Sequence, residues 1–142
     1  MTHNFSFKTA IAVAALLALP MAQAANLGKD EYKAAKARIS ADYKAAKAAC
    51  APMKDNAKDI CKEEAKAHEK VALAENEYSY TGKQADERKV RTVMADTSYA
   101  VAKERCDDLK GNPKDVCVKE AKAVHIKALA DVKMDKKVAN AG

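Results

Sequence analysis

The chain contains no tryptophan, and both phenylalanines, Phe5 and Phe7, fall within the first 24 residues. Beyond residue 24 the five tyrosines are the only aromatics, so a thick aromatic core is excluded, and no aromatic side chain interleaves the lysines from Lys58 to Lys70, which disfavours nucleic acid as a partner. No glycine-rich phosphate loop, no Ser-His-Asp grouping and no compact acidic pair is present, so nothing in the chain assembles a catalytic constellation. No apolar run approaches the roughly 20 residues that a membrane-spanning helix needs. The chain is expected to be a non-catalytic protein, neither an enzyme nor membrane-spanning, with no cofactor implied.

The N-terminus reads MTHNFSFKTAIAVAALLALPMAQA. Lys8 precedes an apolar run from Ala10 to Leu19, Pro20 breaks it, and Ala22 and Ala24 form an A-x-A end. That order of charge, short apolar core and small residues predicts a secretory signal peptide over residues 1–24, cleaved near Ala24. No Cys follows the cut, so a lipid anchor is not indicated. Export changes the meaning of Cys50, Cys61, Cys106 and Cys117: outside the reducing cytosol they are expected to form two disulfides.

The remaining chain, residues 25–142, has single-domain size. Its apolar content is mostly Ala, which buries one methyl worth about 0.8 kcal/mol, against about 1.5–3 kcal/mol for Leu or Val. A thin core is expected. Abundant Ala, Lys, Glu and Arg, all strong helix formers, offset that deficit locally and predict an all-α fold.

The chain also matches itself. YKAAKAACAPMKDNAKDICKEEAKAHEKVALAE aligns with YAVAKERCDDLKGNPKDVCVKEAKAVHIKALAD at a constant offset of 56 residues, pairing Tyr43 with Tyr99, Cys50 with Cys106 and Cys61 with Cys117. One unit has been duplicated, giving repeats over about residues 27–82 and 83–138. Each reads as helix, tight turn, helix. In the second turn Gly111 suits a left-handed residue, Asn112 a cap, Pro113 a first helical position and Asp115 a capping-box partner; Asn56 and Asp59 hold the matching places in the first. Thr81-Gly82 ends the second helix. The expected helices run over Gly28 to Cys50, Ala57 to Tyr80, Gln84 to Leu109 and Pro113 to Val138, as two antiparallel hairpins forming a four-helix bundle.

Helix one repeats EYKAAKAR as DYKAAKAA eleven residues on, which keeps Tyr32, Ile39, Tyr43, Ala46 and Cys50 on one face. The matching stripes are Ile60, Ala67, Val71, Ala74 and Tyr78, then Ala95, Tyr99, Ala102 and Cys106, then Cys117, Ala121, Val124 and Ala128. Four Cys permit three connectivities, and an up-down bundle brings both turns to one end, so bridges between repeats stay open. Proximity in sequence favours Cys50 with Cys61 and Cys106 with Cys117, each fastening two helix ends across a turn.

Net charge is +6, or +5 without Lys8. Lys58, Lys62, Lys66 and Lys70 recur every four residues and form a candidate polyanion-binding stripe for an acidic lipid or glycan. Two of the four become Val118 and Ile126 in the second repeat, so a solvated lysine face is the competing account, and Val118 with Ile126 leaves an apolar strip open to docking or dimerisation. Four Cys with His68 and His125 invite a metal or thiol-redox reading. Ten residues between the Cys of each pair fit a hairpin staple better than C-x2-C metal or redox spacing, and His68 aligns with Val124 rather than His125.

The motifs EYKAAK, DYKAAKAAC, NAKDIC, AVAKERCDD and KDVCVKEAKA resemble a family of small exported proteins of Gram-negative bacteria that carry the label cell envelope biogenesis protein, a label that follows the Ala-Lys-rich composition of the TolA envelope protein. The resemblance spans Glu31 to about Lys133 and implies a periplasmic location, with no catalytic role and no functional residues. The functional expectation is a binding or structural role in the cell envelope, with an envelope component or protein as partner. Polyanion binding through the lysine stripe is the first alternative, and a metal or thiol-redox protein the second.

Overall fold

The computed structural model describes residues 27–139. The segment read as a signal peptide, residues 1–24, lies outside them. The described residues fold into four helices: α1 (Lys29–Ala49), α2 (Asp55–Thr81), α3 (Gln84–Cys106) and α4 (Asn112–Ala139). No strand occurs among the described residues, and none of these helices is long and apolar enough to cross a membrane.

Each boundary has a local cause. At the start of α1 the Glu31 carboxylate accepts from the Gly28 N–H at 3.0 Å, which satisfies one of the amides that a helix start leaves unpaired. Gly82 ends α2 in the left-handed region, φ 63°, and its N–H reaches the Tyr78 carbonyl at 2.8 Å. Asp86 and Glu87 place negative charge in the first turn of α3, and Lys103 and Arg105 place positive charge in its last.

The turn at Gly111 departs from expectation by one residue. Gly111 is left-handed, φ 60°, as its sequence context demands, but its own carbonyl accepts from Lys114 N–H at 3.0 Å and from Asp115 N–H at 3.2 Å. Gly111 is thus the cap, and Asn112 already lies inside the helix. The corresponding residue of the first repeat is Asp55, the only described non-glycine with positive φ, at 50°. Asp tolerates this region better than most side chains. Asn56, expected to cap α2, instead donates to α3: its Nδ2 reaches the Glu104 carbonyl and Asp108 Oδ1, each at 2.8 Å.

Two disulfides, Cys50–Cys61 and Cys106–Cys117, each span a sequence separation of 11 with Cα atoms 5.7 Å apart. They close both hairpins at the same end, because the antiparallel order returns α3 to the level of α1. Helix packing follows chain order, α1 on α2, α2 on α3 and α3 on α4, while α1 and α4 do not touch. The bundle is therefore open: α2 and α3 are each flanked on two sides, and the outer helices on one.

The core is as thin as its composition requires. Its buried apolar members are Cys50, Ala65, Ala74, Val101 and Cys106, joined by the polar Asn76 and Thr97. Cys50 and Cys106 are the largest side chains fully removed from solvent. Thr97 satisfies its hydroxyl on the Val93 carbonyl of its own helix at 2.7 Å, and Asn76 donates to the Tyr32 carbonyl across α1–α2 at 3.1 Å, so neither is buried unpaired. Tyr32, Ile39 and Tyr43 are half-buried along α1 as their spacing predicts, although Ala46 is exposed. On α4 the expected stripe is off by one position. Val124 is 70% exposed, and His125 takes its place against α3 with Cys117, Ala121, Ala128 and Val132.

Closing a loop of this length removes unfolded-state entropy worth about 3 kcal/mol per bridge, so the two together supply a large part of the roughly 5–15 kcal/mol that holds a domain folded. We expect Cys50→Ala/Cys61→Ala and Cys106→Ala/Cys117→Ala each to lower the unfolding free energy in urea by about 2–4 kcal/mol. Non-reducing peptide mapping of the wild type should return only the two within-hairpin bridges; a fragment joining Cys50 to Cys117 contradicts the fold.

Candidate functional site

Of the sequence-derived candidates, the four cysteines are brought together in pairs as expected, and no free cysteine remains. In this state none of them offers a thiolate. Among the described residues no three His, Cys, Asp or Glu side chains converge as a metal site. His68 is exposed on α2, and His125 is engaged elsewhere.

The lysine stripe is present on α2 but is neither straight nor unopposed. A spacing of four turns each successive side chain about 40° further round the helix, so Lys58 and Lys70 end about 120° apart. Lys58 is half-buried, Lys62 pairs with Asp59 at 3.3 Å, and Lys66 pairs with Glu63 at 3.1 Å. Lys70 borders a groove shared with Tyr32, Lys36, Glu77 and Lys89. The whole of α2 holds four lysines against seven acids, Asp55, Asp59, Glu63, Glu64, Glu69, Glu75 and Glu77. Exposed i,i+3 pairs of this kind add little stability, but their carboxylates compete with any outside anion for the same ammonium groups.

Polar chemistry is concentrated where helices cross. Between α2 and α3, Arg105 reaches Glu64 at 2.6 Å and Asn56 makes its two bonds to the end of α3. Between α1 and α2, the Tyr32 hydroxyl donates to Glu77 at 2.5 Å while its ring stacks on Tyr80 with centroids 4.6 Å apart. The Glu77 carboxylate, through that hydrogen bond, raises the Tyr32 pKa above its ordinary value; desolvation and the nearby negative charge act in the same direction. Between α3 and α4, His125 stacks on Tyr99 with centroids 4.8 Å apart and its Nε2 lies 2.6 Å from Asp96 Oδ1, while Arg91 pairs with Asp135 further along.

Each hairpin carries the same lateral groove. In the first, of about 350 Å³, Ile39, Tyr43, Ala65, Glu69 and Ala72 form the lining; in the second, of about 610 Å³, their counterparts Ala95, Tyr99, Ala121, His125 and Ala128 do so. A third groove of about 640 Å³ lies over α3 between α2 and α4, with Ala67, His68, Val101, Ala102 and Val124 among its walls. Sequence reasoning missed His125 because it placed Val124 inward. A shift of one residue yields the regular series Cys117, Ala121, His125, Ala128 and Val132, and that series is the signal that locates it. Asn56 was legible only as a cap, because its partner lies 48 positions away.

Comparisons with protein-family models, with curated proteins and with solved structures return no match.

Two tests follow from this geometry. Asn56→Ala should lower stability by about 1–2 kcal/mol in denaturant unfolding, since two hydrogen bonds are lost. Asn112→Ala, at the exposed matching position, should stay within about 0.5 kcal/mol of wild type. For Tyr32 the raised pKa means that the folded state favours the neutral phenol, so its contribution is present below the ordinary tyrosine range and fades as pH rises through the raised value. In an ultraviolet titration one tyrosine should ionise after the others, and Tyr32→Phe should abolish that late step; its persistence would assign the step elsewhere.

Proposed function

We propose that this chain is an exported, non-catalytic helical binding module of the bacterial cell envelope, working in the periplasm. The observation that carries the reading is the dependence of a thin alanine core on two disulfides, whose half-cystines Cys50 and Cys106 are its largest fully buried side chains. Bonds of that kind persist in oxidising compartments and are reduced in cytosol. The segment over residues 1–24, with its charge, short apolar core and A-x-A end, supports the same compartment, as does the resemblance of the cysteine-centred motifs to exported envelope proteins. A binding role rests on the shape of the open bundle, which presents two repeated lateral grooves and leaves the outer helices uncovered on one side.

Polyanion binding through Lys58, Lys62, Lys66 and Lys70 is the less supported alternative, because Asp59 and Glu63 already engage two of those lysines. A metal or thiol-redox role has less support still, since all four cysteines are bonded.

Cell fractionation with mass-tagging of free thiols tests this reading. Periplasmic protein with four blocked cysteines and an N-terminus near residue 25 is expected. Cytoplasmic protein that retains Met1 and carries four free thiols would overturn it.

A further inference from the structure

Among the described residues α1 and α4 are the lysine-rich helices covered on one side only, and of the two α4 alone also exposes large apolar side chains. With about 100° per residue, the side that meets α3 is centred on Ala121. The opposite sector carries Lys119, Lys122, Ile126, Lys133, Met134 and Lys137, all exposed, with one exposed acid, Asp115, in the first turn. Ile126 is 56% exposed and Met134 59%, and Val138 at the sector's edge is 75% exposed, high values for apolar side chains in so small a protein. Among the described residues none of Lys119, Lys122, Lys133 and Lys137 lies within salt-bridge distance of a carboxylate; the paired lysines of α4 are Lys114 and Lys127. The whole helix holds seven lysines against four acids, the reverse of the balance on α2.

The duplication shows how this face arose. At the 56-residue offset, Lys119 stands where α2 has Glu63, Lys133 where it has Glu77, Ile126 where it has Lys70, and Lys137 where it has Thr81. On α2 the matching side is largely covered, with α3 packed against it and Glu64 held by Arg105. On α4 no helix covers it, and although lysines suit a solvent-facing side, Ile126 has replaced Lys70 there and stands exposed among them, against the charged or polar pattern of an uncovered face.

From this we propose that the outer face of α4 docks on an anionic lipid surface, with Lys119, Lys122, Lys133 and Lys137 on headgroup phosphates and Ile126, Met134 and Val138 in the boundary between headgroups and acyl chains. Interfacial helices set lysines beside apolar side chains; on α4 the two share one sector, with Ile126 between Lys133 and Lys119 round the helix and Met134 and Val138 toward one edge. Each lysine near an anionic bilayer adds to the attraction, which salt weakens, while the apolar part is insensitive to salt. The apolar residues decide between lipid and a soluble polyanion, because a free phosphate polymer gives Ile126 and Met134 nothing to enter. They do not favour a second copy either: a two-fold pairing through this face sets one lysine row against another. Docking on α1 meets a helix with six basic residues against three acids.

The proposal rests on the reading of the chain as an exported binding module, but its test does not use the cell. Oxidised protein, residues 25–142, is sedimented with vesicles of phosphatidylglycerol and phosphatidylethanolamine, and with vesicles of phosphatidylcholine alone. Binding to the anionic vesicles only is expected. Lys119→Glu with Lys133→Glu, which restores the residues of α2, should weaken it about thirtyfold or more. Lys62→Glu with Lys66→Glu changes net charge equally on the other helix and should weaken it about threefold or less. Ile126→Ser with Met134→Ser should remove the binding that survives roughly 0.5 M salt. Circular dichroism and thiol titration confirm that each variant stays folded and bridged. Equal losses for the two lysine pairs would assign the attraction to net charge and overturn the proposal. So would absence of binding to anionic vesicles, or undiminished binding by the Ile126/Met134 variant together with full competition by inorganic polyphosphate. Vesicle binding by a protein that fractionates with the cytoplasm would sink the export reading and leave the lipid surface standing.

Discussion

Two sulfur–sulfur bonds at one end of the molecule carry a burden that side-chain packing carries in most domains. Helices lined with alanine approach closely, but each buried methyl removes little apolar surface from water, and the buried residues here are few and small. The bridges act on the other side of the balance: they restrict the unfolded chain, so that less burial is needed to hold the folded one. Cys50 and Cys106 do both at once, since each is a covalent anchor and a fully buried side chain. The remaining cohesion is polar and sits at helix crossings, in the Tyr32–Glu77, Asn56–Glu104, Arg105–Glu64 and His125–Asp96 pairs. Such contacts define register more than they add stability.

Duplication followed by divergence explains why the two hairpins share a skeleton and differ in surface. The skeleton is the staple, the left-handed turn residue and the tyrosine that stacks or packs across each helix pair. What changed is set by neighbours. Having a helix on either side, α2 keeps acids that meet Arg105 and Tyr32. Covered on one side only, α4 keeps Glu120 where α2 has Glu64 but carries Lys133 where α2 has Glu77. Asn56 and Asn112 make the same point at the scale of one residue: identical in sequence, one bonds the end of α3, and the other faces outward.

Helix number, boundaries to within a few residues, antiparallel order and disulfide pairing were legible in the sequence, because each depends on local signals: helix formers, Gly82 and Gly111 in the turns, and cysteines placed symmetrically round them. The position of Val124 was not legible. An alanine-rich helix offers several nearly equivalent apolar stripes, and the choice between Val124 and His125 is made by Tyr99 and Asp96 on another helix. Likewise the i,i+4 lysine row of α2 is visible as a pattern, whereas its neutralisation by Asp59 and Glu63 depends on side-chain rotamers. The stronger positive surface escaped notice because it follows no repeat; it shows only once α4 is known to lack a second neighbour.

The placement of both bridges at one end gives the molecule a polarity along its length. Near Cys50, Cys61, Cys106 and Cys117 the two helices of each hairpin cannot separate without covalent scission, while at the far end the short link from Thr81 to Gln84 joins α2 to α3 and the start of α1 is held to α2 only by non-covalent contacts such as the Leu27 N–H on the Ser79 carbonyl. Within each hairpin, breathing motions therefore begin at one pole and die out toward the other, like the tines of a fork whose handle is sulfur. A protease sampling such motions would enter from the open pole and find its path blocked before it reached the turns.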